Sequence, residues 1–85
     1  MDYLPLHLNL KGQTVLVVGG CEVAYRKVEL LVAAQANIRL VALEVRSQLR
    51  ELIGQQGIIT IEPYDSRFIE GVVLVISATS NKRVN

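Results

Sequence analysis

Three short runs of aliphatic residues constrain the fold of this chain more than any other feature of its sequence. They occupy residues 14–18, 38–42 and 72–78, and they lack the polar alternation of a half-exposed strand. Runs of this kind are typical of strands buried on both faces, as in a parallel sheet. A weaker run at residues 58–62 alternates partly and suits a strand near the edge of that sheet.

Two amphipathic segments separate the first three of these four runs in chain order. Residues 22–35 carry apolar side chains at helical spacing, and residues 44–53 do the same before Gly54 and Gly57, which suit a helix C-cap and a turn. Residues 63–71 leave room for one short turn of helix. The alternation predicts an α/β fold with right-handed crossovers. We expect a truncated, Rossmann-like, doubly wound parallel sheet of about four strands with two main helices, in the order third, second, first, fourth.

The composition excludes several classes of protein. With 51% hydrophobic residues, the 85-residue chain is not intrinsically disordered. Its net charge of +1 does not suit a nucleic-acid-binding domain, which more often has a pI above about 9. One cysteine and one histidine exclude a disulfide scaffold and a zinc cluster, so no metal site is expected. No apolar run approaches the roughly 20 residues of a membrane span, and we expect a cytoplasmic protein.

A glycine turn directly after the first predicted strand carries the chemistry. On the dinucleotide-binding pattern Gly-x-Gly-x-x-Gly/Ala, Gly19 is the first glycine and Ala24 is the final small residue, while Cys21 replaces the second glycine. Gly19 permits a tight turn, Gly20 continues it, and Ala24 lets the helix approach the sheet. Amide groups at the helix start then receive the phosphates. The pattern favours nucleotide binding over a simple turn.

Two residues of this region each allow two interpretations. Cys21 is either a small, half-buried side chain, which we favour, or a reactive thiolate at the positive end of a helix dipole. Glu44, which follows the second predicted strand, either accepts hydrogen bonds from the adenosine ribose or simply occupies the first turn of the second helix. Arg39 and Arg46 could meet the 2′-phosphate of NADP, which Glu44 would repel, so the balance favours NAD.

Several segments, taken together, resemble the N-terminal domain of the siroheme synthases, the precorrin-2 dehydrogenase and sirohydrochlorin ferrochelatase family. The similar segments are MDYLPL at residues 1–6, LKG at 10–12, VLVVGG at 15–20, EVA and RK within 22–27, and residues 75–79 and 84–85. They extend along the whole chain. The combination of MDYLPL, VLVVGG and EVAYRK is far more specific than the glycine pattern alone.

The resemblance implies an NAD-dependent oxidoreductase of siroheme biosynthesis. It would transfer a hydride from the tetrapyrrole precorrin-2 to NAD, giving sirohydrochlorin, and in many relatives the same site then inserts ferrous iron. The implied cofactor contacts fall on Glu22, Val23, Leu43 and Glu44. Thr79, with Ser80 beside it, lies at the end of the last strand, where the open-sheet rule places the ligand crevice. Residues 1–85 would then be a partial NAD-binding domain.

The sequence departs from the family pattern in three ways. Cys21 replaces a glycine that is usual in the family, and Ser80 and Asn81 stand where the family often has two acidic residues. The family's catalytic aspartate lies on a segment beyond Asn85, so no catalytic residue is carried over and we expect no turnover from this chain alone. Ser80 and Asn81 also suit a cap for a helix beginning near Lys82, which favours a fragment of a longer protein.

The last predicted strand, from Val72 to Ala78, would lie at a sheet edge although it has the composition of a central strand. Such an edge promotes association, so either a longer protein covers it or a second copy pairs with it in a homo-oligomer. Two functions besides the dehydrogenase stay open. One is a non-catalytic, nucleotide-binding regulatory domain, and the other is a remnant that no longer binds nucleotide.

Overall fold

Strands and helices alternate along the chain in a computed structural model that describes residues 9–20 and 22–78. The strands are β1 (Thr14–Val18), β2 (Asn37–Ala42), β3 (Gly57–Ile61) and β4 (Leu74–Ser77), and the α-helices are α1 (Glu22–Ala33) and α2 (Ser47–Ile53). Short 3-10 turns occupy Gly54–Gln56 and Ser66–Ile69. The second of these is the single turn of helix expected between the last two strands.

All four strands run parallel in one sheet, in the order β3-β2-β1-β4. This is the predicted order, and it confirms the truncated Rossmann-like α/β fold. The chain moves outward from β1 through β2 to β3 and then returns to the other side of β1. The carboxyl ends of β1 and β4 therefore flank the point where the direction of winding reverses, which is where open α/β sheets bind their ligands.

One face of the sheet carries both α-helices and holds the core. Side chains from alternate positions of the strands meet the inward side of α1 and α2, because successive strand residues point to opposite faces. The fully buried members of this cluster include Val15, Val17 and Leu40 from the sheet and Val28 and Leu31 from α1. The apolar spacing within residues 22–35 indicated the buried Ala24, Val28 and Leu31 correctly, whereas Val23 and Ala34 from the same pattern are exposed.

The opposite face of the sheet is covered unevenly. Leu16 at the centre of this face is fully buried, whereas Ile58 in β3 and Val75 in β4 are 69% and 45% exposed. The register places all three in one cross-strand row with Arg39. The two outer strands therefore present large aliphatic side chains to solvent on the face that lacks α1 and α2.

The connections after the helices are short and tied by hydrogen bonds. Helix α1 ends two residues earlier than predicted, because the chain turns at Gln35 with a positive φ of 62°. The side-chain amide of Gln56 donates to the carbonyl oxygens of Val32 and Ala36 at 3.2 and 3.1 Å. These bonds join the end of α1 to the turn that precedes β3.

Other element boundaries differ from the expectation by one to three residues. Helix α2 begins at Ser47 and not at residue 44, because the chain stays extended through Arg46. Strand β4 is shorter than residues 72–78 at both ends. The expected helix cap at Ser80 and Asn81 lies outside the described residues. Within the described part of the chain, no helix is both long and apolar enough to cross a membrane.

Matched leucine substitutions test the position of the core. Leu40 in β2 is fully buried, and Leu30 on the outer side of α1 is 53% exposed. We expect Leu40→Ala to lower the free energy of unfolding by about 2–5 kcal/mol, because it leaves a cavity under both helices. Leu30→Ala should change it by less than about 0.5 kcal/mol. Urea unfolding followed by circular dichroism measures both values, and equal losses would contradict this core.

Candidate functional site

The carboxyl ends of the parallel strands bring the candidate residues to one edge of the sheet. Gly19 and Gly20 follow β1, and Leu43 and Glu44 follow β2. Strands β1 and β2 are neighbours, so the two loops that leave them lie side by side. Helix α1 begins at Glu22, directly after the glycine turn.

Each glycine of the turn meets a separate steric demand. Gly19 has φ of +120°, in a region that residues with a side chain rarely adopt, and its N–H donates to the Val41 carbonyl oxygen at 2.9 Å. Gly20 packs directly on the loop after β2. A Cβ atom at Gly20 would overlap the carbonyl oxygen of Glu44 and lie 3.2 Å from the Ala42 Cβ. The turn therefore requires glycine at both positions.

The start of α1 faces this turn with its unpaired amide groups. The first four N–H groups of an α-helix have no partner within the helix, and together with the helix dipole they attract anions. Ala24 is fully buried and belongs to the core beneath α1, which brings the helix close to the sheet. The glycine turn and the small residue thus place these amides at the edge of the crevice.

A cleft of about 610 Å³ lies at this edge, over the ends of β1, β2 and β3. Its size falls within the range of small-molecule sites. Its lining includes Gly19, Gly20, Leu43, Glu44, Arg46 and Tyr64. A smaller pocket of about 200 Å³ adjoins it between the starts of α1 and α2. Its lining includes Gly20, Glu22, Tyr25 and Arg46.

The structure brings five of the ten predicted cofactor residues together at the cleft and the pocket beside it. Gly19, Gly20, Leu43 and Glu44 line the large cleft, and Glu22 lines the adjoining pocket. Val23 is 42% exposed in the first turn of α1, and Ala24 belongs to the core. The remaining predicted contacts, Cys21, Thr79 and Ser80, lie outside the described residues. The assignment of all these residues to a cofactor stays a prediction.

Glu44 and the two arginines considered for a 2′-phosphate occupy different places. Glu44 is exposed in the loop before α2, so the interpretation that placed it in the first helical turn is wrong. Arg46 lines both pockets. Arg39 does not line the cleft, because its Nη1 donates to the carbonyl oxygens of Phe68 and Glu70 at 2.7 and 2.9 Å. Only Arg46 stays available to a phosphate in the cleft.

A third side of the cleft, which the sequence patterns did not predict, is formed after β3 by Glu62, Pro63 and Tyr64. The predicted strand order contained the signal, because it placed the third strand beside the second with both carboxyl ends at one edge. The described residues contain no group of three or more His, Cys, Asp or Glu that could hold a metal ion.

A parallel sheet with a glycine turn, a helix N-terminus and an acidic residue around the crevice defines a nucleotide-binding domain of the Rossmann type. The chain belongs to the family described as "Putative NAD(P)-binding", whose model matches residues 6–85. Membership in this family is consistent with a nicotinamide cofactor.

Individual relatives carry more specific names. The chain is 49% identical over 85 residues to a siroheme synthase of Ectopseudomonas mendocina (strain ymp), and 44% identical over 86 residues to that of Pseudomonas fluorescens (strain SBW25). Both matches cover 100% of this chain and 18% of the relative, so the chain spans about a fifth of the length of these proteins. The expected resemblance to the siroheme synthases is confirmed.

A solved structure shows the same fold. The chain matches "SirC, precorrin-2 dehydrogenase" with a TM-score of 0.81 and 29% sequence identity, over 100% of this chain and 42% of that one. The order of strands and the position of the crevice therefore belong to a fold that a protein of that name also adopts.

Alanine at Gly20 tests the contact between the two loops. We expect Gly20→Ala to lower the free energy of unfolding by about 1–3 kcal/mol, because the new methyl group overlaps the Glu44 carbonyl. It should also shift the amide NMR signals of residues 43–46. Gly12 is the control, since it has φ of +75° but nothing within 4 Å of its Cβ position. Gly12→Ala should cost about 1 kcal/mol and leave those signals unchanged; shifts in both variants would contradict the contact.

Proposed function

We propose that this chain is the NAD-binding part, residues 1–85, of a precorrin-2 dehydrogenase of siroheme biosynthesis. That enzyme would oxidise precorrin-2 to sirohydrochlorin. The observation that supports the proposal is the cleft at the carboxyl edge of a parallel sheet, which is lined by Gly19 and Gly20 after β1 and by Glu44 after β2. The names of the siroheme synthases and of the precorrin-2 dehydrogenase that the chain resembles support an oxidation of precorrin-2.

The residues of the cleft fit a dinucleotide diphosphate. At Gly20 the backbone lies against the Glu44 carbonyl with no room for a side chain, so the turn stays low beside the helix. In the proposal the diphosphate lies over Gly19 and Gly20 and receives hydrogen bonds from the amides of Glu22 and Val23. Cys21 lies within this contact region in the sequence. Ala24 contributes indirectly, since its small side chain seats α1 on the sheet.

The loop after β2 would then hold the adenosine ribose and select NAD over NADP. The Glu44 carboxylate accepts hydrogen bonds from two ribose hydroxyls, and its negative charge repels a 2′-phosphate. Leu43 contributes apolar contact beside the same ribose. Arg46 offers a positive charge in the same cleft, and Glu44 opposes its attraction for the extra phosphate.

When bound, the nicotinamide ring supplies the acceptor for the hydride that leaves the macrocycle. The part that this chain plays is to bind and orient the dinucleotide, with Thr79 and Ser80, which follow β4 in the sequence, as further contacts of the proposal. No residue of the chain is assigned a catalytic role. Precorrin-2 as substrate, iron insertion and a cytoplasmic location belong to the proposal for the longer protein.

Strand β4 would also serve as a contact between two copies of the chain. Among the described strands it pairs with β1 alone; Val75 within it is 45% exposed, and Val73 directly before it is 53% exposed. An outer strand with exposed aliphatic side chains offers a template for strand pairing. The proposed homo-oligomer joins two sheets along this strand.

Binding of NAD tests the function. We expect calorimetry to detect NAD binding by the chain, and Glu44→Gln to weaken it about tenfold or more, because the ribose loses a charged acceptor. The ratio of NADP to NAD affinity should rise at least as much. Glu51 is an exposed residue of α2 that does not line the cleft, and Glu51→Gln should change neither value.

The absence of binding at millimolar NAD would contradict the proposal and support a remnant. Binding of NAD by the chain, without oxidation of precorrin-2 by a full-length protein that contains it, would support the regulatory domain.

A charge on β4 tests the proposed homo-oligomer. We expect the chain to form a concentration-dependent dimer in sedimentation velocity, and Val75→Lys to abolish it, because lysine on an outer strand opposes strand pairing. Leu30→Lys, which places the same charge on the exposed side of α1, should leave the dimer intact. A wild-type chain that sediments as a monomer at all concentrations would rule the contact out.

A further inference from the structure

We infer that the loop after β3, residues 62–64, forms the wall of the cleft that receives the purine base of the dinucleotide, with the Tyr64 ring stacked on the base. The inference rests on the proposed function, since it concerns the same cleft. It assigns a binding role to a segment that neither the glycine pattern nor the acidic residue after β2 identifies.

The diphosphate, ribose and base follow one another in a fixed order along the dinucleotide. The proposed diphosphate lies at the end of β1 and the ribose at the end of β2, so the dinucleotide runs outward across the sheet. The base is joined to the carbon next to the one that carries the 2′-hydroxyl, which keeps it within a few ångströms of Glu44. The next strand in that direction is β3, because the sheet order is β3-β2-β1-β4. The base therefore reaches the end of β3.

Strand β3 pairs with β2, which places the loops after these two strands side by side. Ala42 and Ile61 are register partners, so Leu43 and Glu62 leave the sheet at adjacent positions. Both line the cleft, as does Tyr64 two residues further on. The loop after β3 thus stands beside the loop that carries the proposed ribose contact.

Two side chains with apolar surface, Leu43 and Tyr64, line this part of the cleft. Leu43 is 68% exposed and Tyr64 is 46% exposed, so each has apolar surface that a ligand can cover. A purine base is flat and stacks well on an aromatic ring, with aliphatic contact at its other side. Among the aromatic residues that the structure describes, Tyr64 alone lines the large cleft.

Two hydrogen bonds from Arg67 reach residues on either side of Tyr64. The Arg67 Nη2 atom donates to Glu62 Oε1 at 2.6 Å, and the Arg67 backbone N–H donates to Asp65 Oδ1 at 2.9 Å. These contacts close the chain around Tyr64 from both sides. A ligand that stacks on a wall fixed in advance loses less free energy to ordering the protein.

Arg39 joins the turn that follows this loop to the sheet. Its Nη1 atom donates to the carbonyl oxygens of Phe68 and Glu70, so the turn at Ser66–Ile69 is joined to the middle of β2. Arg39 therefore holds the turn that follows the wall, and it does not line the cleft.

Three ligands distinguish a base contact from a general effect. NAD and AMP both contain adenine, whereas nicotinamide mononucleotide contains a ribose and a phosphate without it. We expect Tyr64→Ala to weaken binding of NAD and AMP about fivefold or more, and to leave the affinity for nicotinamide mononucleotide unchanged, in calorimetric and NMR titrations. Tyr64→Phe, which keeps the aromatic face, should bind all three ligands as the wild type does.

Ile69 supplies the matched control. It is 42% exposed in the turn that follows the loop, and it does not line the cleft. Ile69→Ala should leave all three affinities unchanged. Tyr64→Leu keeps an apolar side chain of similar bulk without the ring, so it tests stacking even where Tyr64→Ala lowers the melting temperature.

The outcomes separate this inference from the function on which it rests. A wild-type chain that binds NAD, with equal affinity in Tyr64→Ala and Tyr64→Leu, overturns the base wall and leaves the proposed function intact. An equal loss for nicotinamide mononucleotide overturns it too, because the effect would not come from the base. A wild-type chain that binds neither NAD nor AMP overturns the proposed function, and the base wall with it.

Discussion

The close contact between Gly20 and the carbonyl oxygen of Glu44 determines the shape of the site. It brings the turn after β1 against the loop after β2, with no space for a side chain between the two backbones. The contact joins the turn at the start of α1 to the loop that carries Glu44, and that loop ends at an extended Arg46 before α2 begins at Ser47. The positions of the proposed diphosphate and ribose contacts both depend on it.

The parallel sheet supplies the rest of the arrangement, because it delivers one loop from each strand to the same edge. In the proposed binding mode, each group of the dinucleotide is bound at the end of a different strand: the diphosphate at β1, the ribose at β2 and the base at β3. The cleft of about 610 Å³ spans these strand ends. Binding of this kind depends on a backbone that leaves room for the ligand and on three loops in the right order.

Local sequence patterns predicted the elements well and the long-range contacts poorly. The five residues of β1 were predicted with both boundaries correct, because an unbroken aliphatic run has one good structural interpretation. The start of α2 was predicted three residues early, since the helical apolar spacing includes Val45, whereas Arg46 is extended and the helix begins at Ser47. The loop at residues 62–64 was missed as part of the site, because its role depends on its neighbour β2 and not on its own composition. Arg39 was misread for the same reason, since its partners lie 29 and 31 residues further along the chain.

The tether from Arg39 ends on main-chain carbonyl oxygens and not on side chains. Every residue type offers such an oxygen, so side chains at positions 68 and 70 can change during evolution without loss of these two bonds. The donor has less freedom, because only a long side chain with at least two N–H groups on its terminal nitrogen can reach both oxygens from β2. Sequence divergence in this region should therefore be unequal. The side chains at positions 68 and 70 should vary, whereas position 39 in β2 should tolerate few replacements.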